Sequence, residues 1–328
     1  MAYTVTQISK SNMRLDFLVC ADHRFVMPCG VTLESLCSQH AKHYVNIHLI
    51  SDESLTAEDI SDLQDIIKRH NENNVLQVYK VTENMMSSWS WYKDNYYPKQ
   101  VFYRLLCAQL LPTDIDRILY LDCDTIVRKS LEDLWQLDMT NYPIAATPDA
   151  SEIGRRLGFS EEDVYFNSGV MLINLKYWRD HNSHKLLFDY IDAHRDEIRL
   201  PDQDPLNIIF KDNKLELGVS YNLQPIALYK DKYITFPWHK YGTEFRTAQR
   251  KPAIIHFAGA RPWEKGINHP YKDEWFKYRA KTKWHSVPLE PSRVTLKTHA
   301  KNLLRMILTP FGICHYVRDY YNRSIKLQ

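Results

Sequence analysis

The chain has 328 residues, 44% of them hydrophobic and 25% charged, the proportions of an ordinary soluble globular protein with room for one catalytic domain and an appendage. Lys and Arg number 42 against 40 Asp and Glu, a formal net charge of +2 that gives the body of the protein no reason to bind nucleic acid. The six cysteines (Cys20, Cys29, Cys37, Cys107, Cys123 and Cys314) form no C-x-x-C pair and read as reduced core residues of a cytosolic protein; a polar N-terminus without an apolar h-region, and no run of about 18 apolar residues, set aside export and membrane spanning.

The first expected element is a strand over 15–21, running into Ala21-Asp22, followed by a helix near 30–40 and a second strand over 45–51. A helix over 56–70 has the clearest local grammar. Thr56 and Asp59 are spaced as a capping box, and Ile60, Leu63 and Ile67 fall on one apolar face. A third strand is expected over 76–81. The segment 88–98 then carries Trp89, Trp91 and Tyr92 among further aromatics, which either line a sugar-acceptor site or plug the core beneath a loop. A helix over 100–111 leads into a fourth strand at 119–121. Strands alternating with helices imply parallel β-α-β units in a doubly wound sheet, whose ligands bind at the carboxyl ends of the strands. There Asp22, Asp122 and Asp124 should emerge. Neither G-x-G-x-x-G nor G-x-x-x-x-G-K-[ST] occurs, which argues against a dinucleotide oxidoreductase and a P-loop enzyme.

Leu119-Tyr120-Leu121-Asp122-Cys123-Asp124-Thr125 closes that fourth strand. In extended backbone alternate side chains share a face, so Asp122 and Asp124 are expected to point one way and Cys123 the other. Two hard oxygen donors with room for phosphate suit a divalent cation beside a nucleotide, although Asp-x-Asp is also ordinary turn chemistry. Farther on come 144–147 and 166–175 as strands, the latter headed by Asn167. The loop 200–207 contains Asp202 and Gln203, with Asp204 expected as an N-cap and Pro205 at the first helical position. A last apolar run from Ala253 places His256 at its end, either as a structural histidine or as a third cation donor. An imidazole among carboxylates moves the expected ion from Mg²⁺ toward Mn²⁺. Gly259 lets backbone approach a ligand, and Arg261 can grip phosphate.

The tail from 296 to 328 changes character. Lys297, Lys301, Arg305, Arg318, Arg323 and Lys326 face only Asp319, while Leu303, Leu304, Ile307, Leu308 and Phe311 recur at helical spacing. Such a helix either packs on the catalytic domain or lies on an anionic membrane surface, where each basic residue contributes about 1 kcal/mol.

In this order and spacing the motifs resemble those of glycosyltransferase family 8, the group of bacterial lipopolysaccharide galactosyl- and glucosyltransferases and, more distantly, the glycogenins. The resemblance covers most of 15–270. It rests on Ala21-Asp22, Tyr103-Arg104-Leu105, Leu121-Asp122-Cys123-Asp124, Phe166-Asn167-Ser168-Gly169-Val170, Asp202-Gln203-Asp204 and His256-Phe257-Ala258-Gly259-Ala260-Arg261. It implies an α/β fold of the nucleotide-diphospho-sugar transferase (GT-A) type: a Rossmann-like mixed sheet with flanking helices, here with a C-terminal helical tail. The expected division is an extension over 1–14, a catalytic domain over 15–285 and a basic amphipathic tail over 286–328. The implied activity is metal-dependent transfer of a hexose, with retention, from UDP-galactose or UDP-glucose to a glycan or lipid-linked saccharide. The expected location is cytoplasmic, peripheral on the inner face of the membrane.

Carried over position by position, Asp122, Asp124 and His256 would hold Mn²⁺ or Mg²⁺. Ala21, Asp22 and Cys123 would meet the nucleotide, with Asp22 at the uridine. Arg104, Asn167, Asp202 and Gln203 would surround the sugar, and Gly259 and Arg261 the phosphates. Two departures stand out: Arg261 replaces the family's usual Lys, and Asn or Thr is more usual near Arg24. For the chemistry, Gln203 is a poor nucleophile and Asp202 is the nearby carboxylate, which leaves open front-face transfer assisted by Gln203 or double displacement through Asp202. A metal-dependent phosphohydrolase and a non-catalytic carbohydrate-binding protein are the competing readings.

Overall fold

The computed structural model describes residues 12–86, 98–149, 152–160, 162–225, 238–267 and 269–291. The aromatic segment with Trp89, Trp91 and Tyr92, the basic tail and most of the N-terminal extension therefore lie outside the described residues.

Strands β1 (Arg14–Cys20), β2 (Tyr44–Ser51) and β3 (Val75–Lys80) alternate with helices α1 (Val26–Gln39) and α2 (Ala57–His70), close to the expected positions. Helix α2 begins as its sequence dictates. The Asp59 N–H donates to Thr56 Oγ1 at 3.1 Å and the Thr56 N–H donates to Asp59 Oδ2 at 2.9 Å. Helix α1 starts earlier than expected, because Pro28 sits in its first turn, where a missing N–H costs nothing. Gly30 on that helix lets Trp284 pack against the backbone; a Cβ there would meet Trp284 Cζ3 at 2.2 Å.

The expected helix over 100–111 is instead a 3₁₀ segment, Lys99–Leu106, followed by the single α-turn α3 (Cys107–Leu110). Five consecutive residues, Phe102 to Leu106, are buried. A one-sided amphipathic helix cannot bury every successive side chain, and the tighter winding brings Arg104 inward. Strand β4 (Arg117–Leu121) follows, then β5 (Thr125–Val127), β6 (Ile144–Pro148), β7 (Phe166–Asn174), α4 (Leu175–Asp180), α5 (Ser183–Ala193), α6 (Gln203–Ile209), β8 (Leu215–Glu216), α7 (Trp238–Arg250), β9 (Ile254–His256) and α8 (Lys272–Arg279).

The main sheet has the order β3-β2-β1-β4-β7-β6-β8. The neighbours β3, β2, β1 and β4 run parallel, and β7 alone runs against its partners β4 and β6. This is a mixed sheet, and the reversal matters for function: the beginning of β7 lies at the same edge as the ends of β1 and β4. One sheet face packs on α1 and α2 through Phe17, Val19, Ile47, Leu49 and Leu63. The other packs on the 3₁₀ segment and α4 to α6 through Leu18, Tyr103, Tyr120, Met171 and Trp178. A smaller core of Phe245, Ile255, Phe257, Trp263 and Trp275 supports the separate antiparallel pair β5-β9.

His40 at the end of α1 fixes a proton-sensitive point in this frame. Its Nδ1–H donates to Leu36 O at 2.7 Å, and its Nε2 accepts the Leu131 N–H at 2.8 Å. Burial pushes its pKa from the ordinary 6.5 down to about 4. The folded value lies below the unfolded one, so the stabilising contribution is full above pH 6.5 and is lost as the pH falls through about 4. A histidine NMR titration should show the His40 ring signals unmoved near pH 6.5 and shifting near 4; a midpoint near 6.5 would contradict the buried neutral state.

Candidate active site

Strand β4 ends at Leu121, and Asp122-Cys123-Asp124 makes a tight turn into β5. The expected strand-like alternation is thus replaced by turn geometry, held by Thr125 Oγ1 donating to Asp122 O at 2.8 Å and by Thr32 Oγ1 donating to Cys123 O at 2.8 Å. The two carboxylates converge all the same. Cys123 turns its thiol toward β1, where Sγ lies 3.3 Å from Cys20 O.

Pairing of β5 with β9 sets Thr125 opposite His256, and the Phe257 N–H donates to Asp124 O at 2.9 Å. Residues remote in sequence thereby meet: donor atoms of Asp122, Asp124 and His256 lie within 4.8 Å of one another. His256 Nε2 is 3.2 Å from Asp124 Oδ1 and 3.5 Å from Asp122 Oδ2. Burial disfavours a charged His256, but the Asp124 carboxylate, aided by Asp122, outweighs it and raises the pKa. Burial works against the Asp124 charge too, and His256 reverses it, lowering that pKa. Two carboxylate oxygens and one imidazole nitrogen are a donor set that fits a divalent first-row transition ion. Gly169 makes room for this cluster, since a Cβ there would meet His256 Cε1 at 2.2 Å and Asp122 Oδ2 at 2.7 Å.

Arg104 is the buried cation of the site. Its Nη2 lies 3.0 Å from Asp122 Oδ1 and its Nη1 3.2 Å from Asp202 Oδ2, while its guanidinium stacks 4.3 Å above the Tyr120 ring. Tyr120 in turn donates its hydroxyl to Asp122 Oδ1 at 2.5 Å. Burial raises the pKa of Asp202, with Arg104 offsetting part of the effect.

The start of β7 and the start of α6 meet behind this pair. Gln203 Oε1 accepts from Asn167 Nδ2 at 3.1 Å and from the Ser168 N–H at 3.0 Å. Asn207 docks α6 on β7 by accepting the Phe166 N–H at 2.7 Å and donating to Phe166 O at 2.8 Å. The helix begins at Gln203, so Asp204 is not its N-cap and Pro205 is not its first residue. Asp204 is fully buried and serves as an anchor. It accepts the Arg199 and Leu200 N–H groups at 2.8 and 3.0 Å, the Tyr165 hydroxyl at 2.5 Å and the Arg156 guanidinium. Its long-range partners outcompete the local cap grammar.

These groups border a cleft of about 300 Å³ whose walls include Ala21, Asp22, Arg104, Asp122, Cys123, Asp124, Gly259 and Arg261. Asp22 uses Oδ1 to accept the Phe25 N–H at 3.1 Å and Oδ2 to accept from Arg24 at 2.7 and 3.0 Å. The loop beyond β9 has two positive φ angles in succession, Ala258 at 36° and Gly259 at 88°, which aim the Gly259 N–H at Asp124. Arg261 lies over the Phe25 ring at 5.3 Å, beside Glu264. Asn167, Asp202, Gln203 and His256 sit buried behind the cleft walls. Two members of the cluster have no local signal in the sequence: Asn222, which bridges His256 and Asn167, and Asp149, which holds Asn167 and Gln203.

The fold and this edge-of-sheet cleft define a nucleotide-diphospho-sugar transferase architecture of the GT-A type. It aligns with the crystal structure of galactosyltransferase LgtC in complex with donor and acceptor sugar analogs (TM-score 0.69, 21% identity), covering 84% of this chain and 98% of that one. The family model for glycosyl transferase family 8 matches residues 17–266, and the chain belongs to that family. Among curated relatives, general stress protein A of Bacillus subtilis is 35% identical over 58% of this chain and 68% of its own length. The lipopolysaccharide 1,2-glucosyltransferase of Escherichia coli is 24% identical over 81% of this chain and 78% of its own.

Asp204→Ala should cost about 3–5 kcal/mol, because it strands the Arg156 charge and two backbone donors. Urea unfolding of the variant measures this; a loss below about 1 kcal/mol would show that Asp204 is not the anchor of α6.

Proposed function

We propose that this family 8 glycosyltransferase moves a hexose, galactose or glucose, with retention, from a UDP-sugar to a glycan acceptor, lipopolysaccharide or another cell-surface saccharide. The observation that carries the reading is the convergence of Asp122, Asp124 and His256 beside a cleft walled by Asp22, Arg104, Gly259 and Arg261.

Several features support the details. Asp22 and Arg24 set an acceptor and a donor side by side, which suits the edge of uracil: its single ring N–H to Asp22, a flanking carbonyl to Arg24. The mixed nitrogen and oxygen donor set favours Mn²⁺, with Mg²⁺ as the weaker fit. When bound, such an ion acts as a Lewis acid on the diphosphate. Arg261, braced on aromatic rings, supplies a guanidinium fork for a phosphate, where the family's Lys would give a point charge.

Gln203 is held by Asp149, Asn167 and Ser168, and this rigidity supports reading its amide dipole as the group that stabilises an oxocarbenium-like sugar. Asp202 Oδ2 is engaged by Arg104, which argues against its use as nucleophile and for front-face transfer, the leaving phosphate taking the acceptor proton. Trp89, Trp91 and Tyr92 are proposed to meet the acceptor, and 296–328 to hold the enzyme at an anionic cytoplasmic membrane surface. No helix among the described residues is long and apolar enough to cross a membrane.

The test is UDP release from UDP-galactose and UDP-glucose with Mn²⁺ and with chelator. Asp124→Ala should lower the rate about 10²–10³-fold, and release independent of metal would overturn the cation-site reading. A glycosyl adduct on Asp202 in the mass spectrum would replace front-face transfer by double displacement. Trp91→Ala should weaken acceptor use and spare donor hydrolysis. Chain ending at residue 291 should no longer sediment with anionic liposomes; unchanged sedimentation sinks the anchor.

A further inference from the structure

The buried amides between Gln203 and His256 form a chain with a direction, and Asp149 sets it. Its Oδ2 accepts from Asn167 Nδ2 at 3.3 Å and from Gln203 Nε2 at 3.1 Å, and a carboxylate oxygen can only receive those bonds. With its nitrogen turned to Asp149, Asn167 presents Oδ1 the other way, where it accepts the Gly169 N–H at 3.0 Å and Asn222 Nδ2 at 2.9 Å. Asn222 must then present Oδ1 to His256 Nδ1, 2.9 Å away. An amide oxygen in that position demands a proton on Nδ1. Nε2, the nitrogen facing Asp122 and Asp124, is left as the one that can give a lone pair to a cation. Asn222 is fully buried, so the amide is committed to these two partners.

We propose that Asn222 is a positioning residue that relays amide direction from Asp149, through Asn167, to His256, fixing the cation-competent tautomer and tying cation affinity to the amides that flank the donor sugar. The inference rests on the reading of Asp122, Asp124 and His256 as a cation site. It predicts that a residue touching neither cation nor cleft controls how tightly the cation is held. Outer groups of this kind typically contribute about 10- to 100-fold in affinity.

The experiment is Mn²⁺ affinity of the full chain, by calorimetry without nucleotide, for the native protein, Asn222→Leu, Asn222→Asp and Asp149→Asn. Asn222→Leu removes the acceptor at nearly constant size and should weaken binding about 10- to 100-fold. Asn222→Asp keeps an oxygen toward Nδ1 and should bind within a few-fold of native. That rescue separates the proposal from a packing role, for which a buried carboxylate would be worse than leucine. Asp149→Asn, whose amide can donate as well as accept, removes the directing end and should weaken binding several-fold; it carries the test if the Leu variant does not fold. Native affinity in both Asn222→Leu and Asp149→Asn, or equal losses in the Leu and Asp variants, would overturn the relay alone. A native chain that binds no Mn²⁺ would overturn the cation site and the relay together.

Discussion

The pairing of Thr125 with His256 is the constraint on which the rest of the site depends. Main-chain hydrogen bonds bring the His256 imidazole to two carboxylates that repel one another, and the ladder and the core beneath it hold the three groups together. The arrangement is a pre-formed demand for positive charge. Protonation of His256 meets that demand in part, and Arg104 meets it from the other side of Asp122.

Arg104 also explains how the buried Asp202 carboxylate behind the cleft is tolerated. An uncompensated Asp202 would be costly in so dry a place, and a guanidinium shared between Asp122 and Asp202 offsets that cost while locking both orientations. Because one guanidinium serves two carboxylates, Asp122 and Asp202 are electrostatically linked through a single side chain that itself rests on Tyr120.

Much of this was legible in the sequence where the signal is local. The capping box of α2, the alternation of strands and helices, and polar residues closing apolar runs at Asp22, Asp122 and His256 each follow from short-range periodicity. What escaped depends on distant partners. Asp204 before Pro205 has the grammar of a cap, yet Arg156 and Tyr165 claim its carboxylate. The 3₁₀ segment around Arg104 winds tightly because both its faces are buried, which helical spacing alone does not reveal. Asn222 and Asp149 look like ordinary polar residues until β7, α6 and β9 are brought to one edge. The reversed β7 accounts for Asn167: a residue at the beginning of a strand reaches the ligand edge only when that strand runs against its neighbours.

The small β5-β9 sheet has a consequence for folding. Its two strands are separated in sequence by β6, β7 and β8 and by helices α4 to α7, so pairing them closes a long loop and carries the entropy cost of a non-local contact. The β1-β2-β3 part of the main sheet is built from neighbouring segments, while the core that it shares with α1 and α2 also draws on Leu119, Val127, Leu172 and Ile254 from later elements. The cluster of Asp122, Asp124 and His256 is therefore complete only once β9 has docked on β5, and any ligand that bound the completed cluster alone would favour that docked state by mass action.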